Sequence, residues 1–340
     1  MTRNSHDLPG ENPHKRGRGV SRAEFRAQVQ ATRADIERQV QAARADIERQ
    51  VQATRAQLDA TNERIEARTG RNLILAILIG LILGLSMVSS LIFIKELFMV
   101  FAIVIIGFTA FELAKALRHA ETNVPLIPVV ISAVAVVPAA FYGDATGQWL
   151  ATLGGILLIA LWRVALLFWP THRVRARDAM RDIAGGFLIQ VYVVFLASFS
   201  VLLATQPGGQ WWTLAFLLLV ISADTGAYAT GLSFGKHPMA PSISPKKTWE
   251  GFAGAGVICM IVGVLLALFM LGQPWWFGLI FGVVILLTAT CGDLAESLIK
   301  RDLGIKDMSS WLPGHGGFLD RLDSIVPSAA VAYALYLIVA

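Results

Sequence analysis

Between Ser297 and Asp323 the chain reads SLIKRDLGIKDMSSWLPGHGGFLDRLD, a run of charges and glycines set in sequence that is otherwise almost wholly apolar. Lys300, Arg301, Lys306 and Arg321 alternate with Asp302, Asp307, Asp320 and Asp323, and His315 sits in a Pro-Gly-His-Gly-Gly turn. Just upstream, Asp293 and Glu296 close a stretch long and apolar enough to cross a bilayer. Ionisable groups near bilayer depth are costly and mark chemistry or a polar path. Carboxylates suit Mg²⁺, lysine and arginine suit phosphate, and glycines let backbone amides come close to an anion. The combination describes a metal-dependent phosphate site at a membrane surface.

A second polar cluster precedes it. SADTGAYATG places Asp224 one helical turn before Tyr228, and the loop that follows, FGKHPMAPSISPKKTWEG, carries Lys236, His237, Ser244, Lys246, Lys247, Thr248 and Glu250. Moving a nucleotidyl group from one polyanion to another asks the protein mainly for positive charge, a divalent metal and orientation. Lys246, Lys247, Lys300, Arg301, Lys306 and Arg321 could neutralise phosphates, and the 313–317 turn could present amides through Gly316 and Gly317. A phosphate monoester is already ionised near neutral pH, so no general base is obligatory. His315 therefore fits a structural turn as well as a catalytic role.

The 297–323 segment resembles the signature of the phosphatidate cytidylyltransferases (CDP-diacylglycerol synthases). The matching positions are Ser297, Lys300-Arg301, Lys306-Asp307, Pro313, His315-Gly316-Gly317, Asp320-Arg321 and Asp323, a specific pattern within 27 residues. The Asp224 run and the Ser244-Pro-Lys246-Lys247-Thr248 run resemble the same family, so the likeness covers 224–324. It implies transfer of CMP from CTP to phosphatidic acid, giving CDP-diacylglycerol and pyrophosphate, with a polyprenol or ether-lipid phosphate as the alternative acceptor. It also implies Mg²⁺ on Asp293 and Asp320 with Asp323 beside them, a monovalent cation such as K⁺ next to it, and a homodimer in the bacterial inner or plasma membrane. Asp224, Lys246, Lys247, Lys300, Arg301, His315 and Arg321 are the expected catalytic set, and Ser244, Lys306, Gly316 and Gly317 the expected substrate-binding set. No nucleic-acid partner is expected.

The elements that must hold these residues are membrane helices. With 55% hydrophobic and 16% charged residues and a mean hydropathy of +0.59, the chain excludes a soluble globule. The expected class is all-α and polytopic, with about nine spans near 73–94, 97–114, 123–141, 148–168, 183–204, 211–231, 251–272, 276–294 and 324–340. Lysines and arginines fall in alternate loops, which predicts that the N-terminus and every site loop are cytoplasmic. A transporter would also place charges among helices, but needs no such turn beside a dense Lys/Arg/Asp cluster. Cys259 and Cys291 lie in apolar runs and suggest no disulfide.

Residues 1–70 differ in kind from the catalytic region expected over 71–340. An 11-residue unit repeats as VQATRADIERQ (29–39), VQAARADIERQ (40–50) and VQATRAQLDAT (51–61), leaving a thin apolar stripe through Val29, Ile36, Val40, Ile47, Val51 and Leu58. That period gives 3.67 residues per turn. It predicts a cytoplasmic helical extension, first as a solvated stalk, with a coiled coil or contact with an anionic membrane as alternatives.

Overall fold

A computed structural model describes residues 73–168, 175–309, 311 and 316–339, all within one compact unit, Arg71–Ala340. The 11-residue repeats, the loop around Arg173 and the 312–315 part of the turn, His315 included, lie outside the described residues.

The unit is built from helices in the order α1 (Leu73–Phe93), α2 (Lys95–His119), α3 (Leu126–Leu167), α4 (Ala176–Thr205), α5 (Gly209–Phe234), α6 (Trp249–Leu271), α7 (Trp275–Asp302), α8 (Leu319–Leu322) and α9 (Ile325–Val339). Pro-Gly sequences break the apolar run at Pro207-Gly208 and Gly272-Gln273-Pro274, where a helix loses its amide donor or its stiffness. A short antiparallel hairpin, β1 (Pro238–Ala240) with β2 (Ser244–Thr248), stands between α5 and α6. It is the one strand pair among the described residues, and the only addition to an otherwise all-α architecture.

Nine separate spans were expected; among the described residues seven helices are long and apolar enough to cross a bilayer, α8 and α9 together forming one of them. Part of the difference lies in α3. Its 42 residues would reach about 63 Å if straight, roughly twice a hydrocarbon core. Asp144, at φ 52° and ψ −153°, interrupts the helix. A Cβ on Gly147 would lie 2.1 Å from the Ala139 carbonyl oxygen, so the chain folds back on itself there. The expected loop at 142–147 is thus compressed to a single non-helical residue. The 73–94 segment is helical as expected, forming the 21-residue α1.

The buried side chains form two groups. Phe98, Leu113, Val136 and Ile189 join α2, α3 and α4, whereas Phe216, Phe281, Ile285 and Ala332 join α5, α6, α7 and α9. The last span serves both, with Leu319 and Val326 in the first group and Ala329 in the second. Between helices surrounded by lipid, close packing rather than water exclusion supplies the attraction. The last span is therefore the wedge that keys the two halves together, and the signature segment leads directly into it.

Several polar groups inside the helices have partners, although Gln148 Oε1 and Gln190 Nε2 are buried without one. Arg163, 3% exposed, meets Asp182, 2% exposed, with Nε 2.6 Å from Oδ2. The other Asp182 oxygen accepts the Asn123 amide at 2.7 Å. Ser132 donates to Gln190 at 2.8 Å and Gln148 donates to Ser198 at 2.8 Å. Gln190 lies in the π-helical stretch Ile189–Phe195 of α4, a local widening common near functional sites.

Candidate active site

Four carboxylates and three basic side chains converge on one cavity of about 420 Å³, lined by Asp224, Asp293, Asp320 and Asp323 together with Lys246, Lys247 and Arg321. Each group is delivered by a different device. Asp224 and Tyr228 stand on α5, where DTGAYATG continues the helix beyond its apolar part. Asp293 stands near the end of α7, directly after Gly292. A Cβ at 292 would fall 2.2 Å from the Asp323 carbonyl oxygen, so only a glycine lets the start of the last span come this near to α7. That contact brings Asp293 and Asp323 to one wall. Tyr192, from the π-helical stretch, donates its hydroxyl hydrogen to the Gly292 carbonyl at 3.4 Å.

The two lysines arrive on β2. The Thr248 hydroxyl caps α6 by accepting the Gly251 amide at 3.1 Å, a loss of which costs roughly 1 kcal/mol in other helices. Glu250 accepts the Lys236 and His237 amides at 3.1 Å each, and His237 Nδ1 lies 2.5 Å from its Oε1. The hairpin is thereby fixed over the cavity, and Lys247 Nζ reaches Asp293 Oδ2 at 2.6 Å. Ser297 donates to the other Asp293 oxygen at 3.3 Å.

The remaining expected residues take other places. Lys300 is held between Glu296 at 2.5 Å and Asp320 at 3.0 Å. Arg301 Nε donates to the Ile243 carbonyl at 3.2 Å and so props the hairpin from behind. Neither lines the cavity, nor does Lys306, which is exposed. Ser244 does line it.

Gly316 and Gly317 are buried and away from the cavity. The Gly317 amide, expected to face an anion, donates to Asp320 Oδ2 at 2.8 Å, and the Met308 amide donates to the same oxygen at 3.2 Å. Gly316 has φ 86°, a conformation that glycine adopts readily, and this folds the turn round the Asp320 carboxylate. The glycines thus shape the signature loop around its own acid.

Asp293, Asp323 and Asp224 lie close enough to feel one another's charge, and Asp320 is already engaged by Lys300 and two amides. Among the described residues no three His, Cys, Asp or Glu side chains form a ready-made metal cage. Mg²⁺ characteristically takes one or two carboxylates and completes its shell with water and substrate phosphates. An open acidic wall facing lysines and an arginine fits that use.

Two buried acids complete the surroundings. Glu296, 0% exposed, is the partner of Lys300. Glu112, 2% exposed, reaches the signature loop from α2. The second escaped the sequence reading, although a lone acid in the apolar run GFTAFELAKAL was a usable signal.

Fold and site together define a polytopic helical membrane protein with a strongly charged cavity at the ends of its helices. The Cytidylyltransferase family model matches residues 74–339, and the chain belongs to that family, a nucleotidyltransferase. A phosphatidate cytidylyltransferase from Mycobacterium bovis is 38% identical over 273 residues, covering 78% of this chain and 89% of the relative. One from Mycobacterium leprae is 37% identical over 278 residues, 79% of this chain and 88% of the relative. A third, from Staphylococcus saprophyticus subsp. saprophyticus, is 34% identical over 201 residues, 59% and 75% of the two chains.

Proposed function

We propose that this protein is a phosphatidate cytidylyltransferase, joining CTP and phosphatidic acid to give CDP-diacylglycerol and pyrophosphate. The observation that carries it is the single cavity in which Asp224, Asp293, Asp323, Lys246, Lys247 and Arg321 meet at the ends of membrane helices. A phosphate oxygen of the lipid attacks the α-phosphorus of CTP. A new P–O bond forms, the bond to the β-phosphate bridging oxygen breaks, and pyrophosphate leaves.

The chain's own groups orient and neutralise the reactants. Lys246, Lys247 and Arg321 face the phosphates, and Tyr228 and Ser244 line the same space. Asp293 and Asp323, with Asp224 near them, are the donors that would hold Mg²⁺. Asp320 is the outer member, because Lys300 and two amides already use it. Bound there, Mg²⁺ would supply positive charge against the charge that builds on the phosphate oxygens. The monovalent cation and the homodimer remain part of this proposal through the family resemblance alone.

Purified protein in mixed micelles, given labelled CTP with phosphatidic acid, a polyprenol phosphate or an ether-lipid phosphate in turn, tests the reading. Lipid-linked CMP formed with phosphatidic acid in preference to the others is the expected result. Turnover with a polyprenol phosphate alone would replace the substrate, and no lipid-linked CMP with any acceptor would overturn the reaction.

The reading also requires the cavity to face the cytosol, where CTP is made. The basic loops support that orientation. In a background without Cys259 and Cys291, Pro207→Cys is expected to react with an impermeant thiol reagent on intact cells. Lys236→Cys is expected to react only after the membrane is breached. Labelling of Lys236→Cys on intact cells would invert the topology.

A further inference from the structure

Glu112 stands in α2, a helix whose core is apolar, yet its carboxylate is turned inward and 2% of the residue is exposed. Among the described residues it faces no basic partner. Instead Oε2 accepts the Leu319 amide at 2.8 Å and Oε1 accepts the Ser309 hydroxyl. Both donors belong to the signature loop, one on each side of its glycine turn. Gly317 lies against the same carboxylate: a Cβ there would be 2.3 Å from Glu112 Oε1.

Aromatic contacts run alongside this bond. Phe108, one turn before Glu112, stacks on Phe318 with ring centroids 5.4 Å apart, and Phe111 stacks on Trp311 at 5.4 Å. The loop is therefore fixed to α2 by a polar latch flanked by ring stacking. Asp320, Arg321 and Asp323 follow within four residues of the latched Leu319 and line the cavity.

We propose that Glu112 is a positioning residue for the transfer reaction: it holds the signature loop so that Asp320, Arg321 and Asp323 face the substrate phosphates. This rests on the reading of the cavity as the cytidylyltransferase site. A buried carboxylate is costly unless it accepts good hydrogen bonds, and a packing role alone would be served by leucine or methionine. The loop amide and hydroxyl supply the bonds, and in return the acid supplies a fixed point that a mobile surface loop lacks. Placement errors near 1 Å are enough to slow a reaction about a hundredfold.

The experiment compares Glu112→Ala, Glu112→Gln and Ser309→Ala in full-length protein. Turnover is expressed per folded molecule, and hydrogen–deuterium exchange is followed over peptides spanning 303–322. Glutamine keeps an acceptor for the Leu319 amide, so Glu112→Gln is expected to stay within about threefold of the unaltered enzyme. Glu112→Ala is expected to lose more than tenfold in kcat with little change in KM for CTP, and to exchange faster in the loop peptides. Ser309→Ala is expected to lose two- to fivefold, and the double Glu112→Ala/Ser309→Ala no more than Glu112→Ala alone.

Unchanged loop exchange in Glu112→Ala, or full kcat per folded molecule, would overturn the proposal. If Glu112→Ala does not fold, the Gln and Ser309 variants decide: loss in Glu112→Gln of more than tenfold, or none in Ser309→Ala, would equally overturn it. The exchange measurement needs no substrate. A protein that fails to turn over CTP would therefore refute the reaction while the latch is still judged on its own.

Discussion

Asp293→Asn is expected to reduce turnover by more than two orders of magnitude while leaving membrane insertion and folding intact. The substitution keeps size and shape and removes one charge from the wall that Asp323 and Asp224 share. A loss of ~3 kcal/mol of transition-state stabilisation already means a rate roughly a hundredfold lower. The amide can still accept from Ser297, whose hydroxyl is 3.3 Å from the present carboxylate, so the local helix keeps its bonds. Lys247 loses its 2.6 Å partner and remains near the phosphates, which separates lost metal affinity from lost positive charge. Turnover measured across a range of Mg²⁺ concentrations checks the assignment. Near-normal activity at millimolar Mg²⁺ would remove Asp293 from the reaction.

The largest effect on stability is expected from Asp182→Asn. Arg163 and Asp182 are both almost fully buried, and Arg163 Nε lies 2.6 Å from the carboxylate. Breaking a buried pair by neutralising one member leaves a charge without compensation, at a cost of about 3–5 kcal/mol. For a chain of this size that is a fall in melting temperature on the order of ten degrees. Arg163→Met in the same protein removes the stranded charge, while asparagine at 182 still accepts the Asn123 amide. The double variant is therefore expected to melt above Asp182→Asn alone. Detergent-solubilised protein followed by thermal scanning gives both values, and a double variant no more stable than the single would show that the pair is not the source.

Much of the site was legible because its charges are local in sequence. Asp224, Asp293, Asp320, Asp323, Lys246, Lys247 and Arg321 stand out against apolar surroundings, and all seven line the cavity. Less legible was the division of labour among the bases. Lys300 and Arg301 look like phosphate ligands by residue type, yet one is locked between two carboxylates and the other braces the hairpin. Which cation serves substrate and which serves structure depends on carbonyls and acids many residues away. The amide of Gly317 is a similar case, since a glycine turn reads as an anion cradle until its own Asp320 is seen to fill it. Among the helices, apolar length alone located the spans, but α3 passes its turn at Asp144 with one non-helical residue, which no loop-length argument would anticipate.

The bond from Leu319 to Glu112 joins residues 207 positions apart, and it has a bearing on how the protein is made. Synthesis proceeds from the N-terminus, so α2 enters the membrane long before its partner exists. Until the last span follows, the first half carries a membrane-embedded acid with no acceptor role to fill, and the acidic wall lacks Asp320 and Asp323. A chain interrupted anywhere before residue 319 thus cannot assemble a working cavity, however well its earlier helices insert.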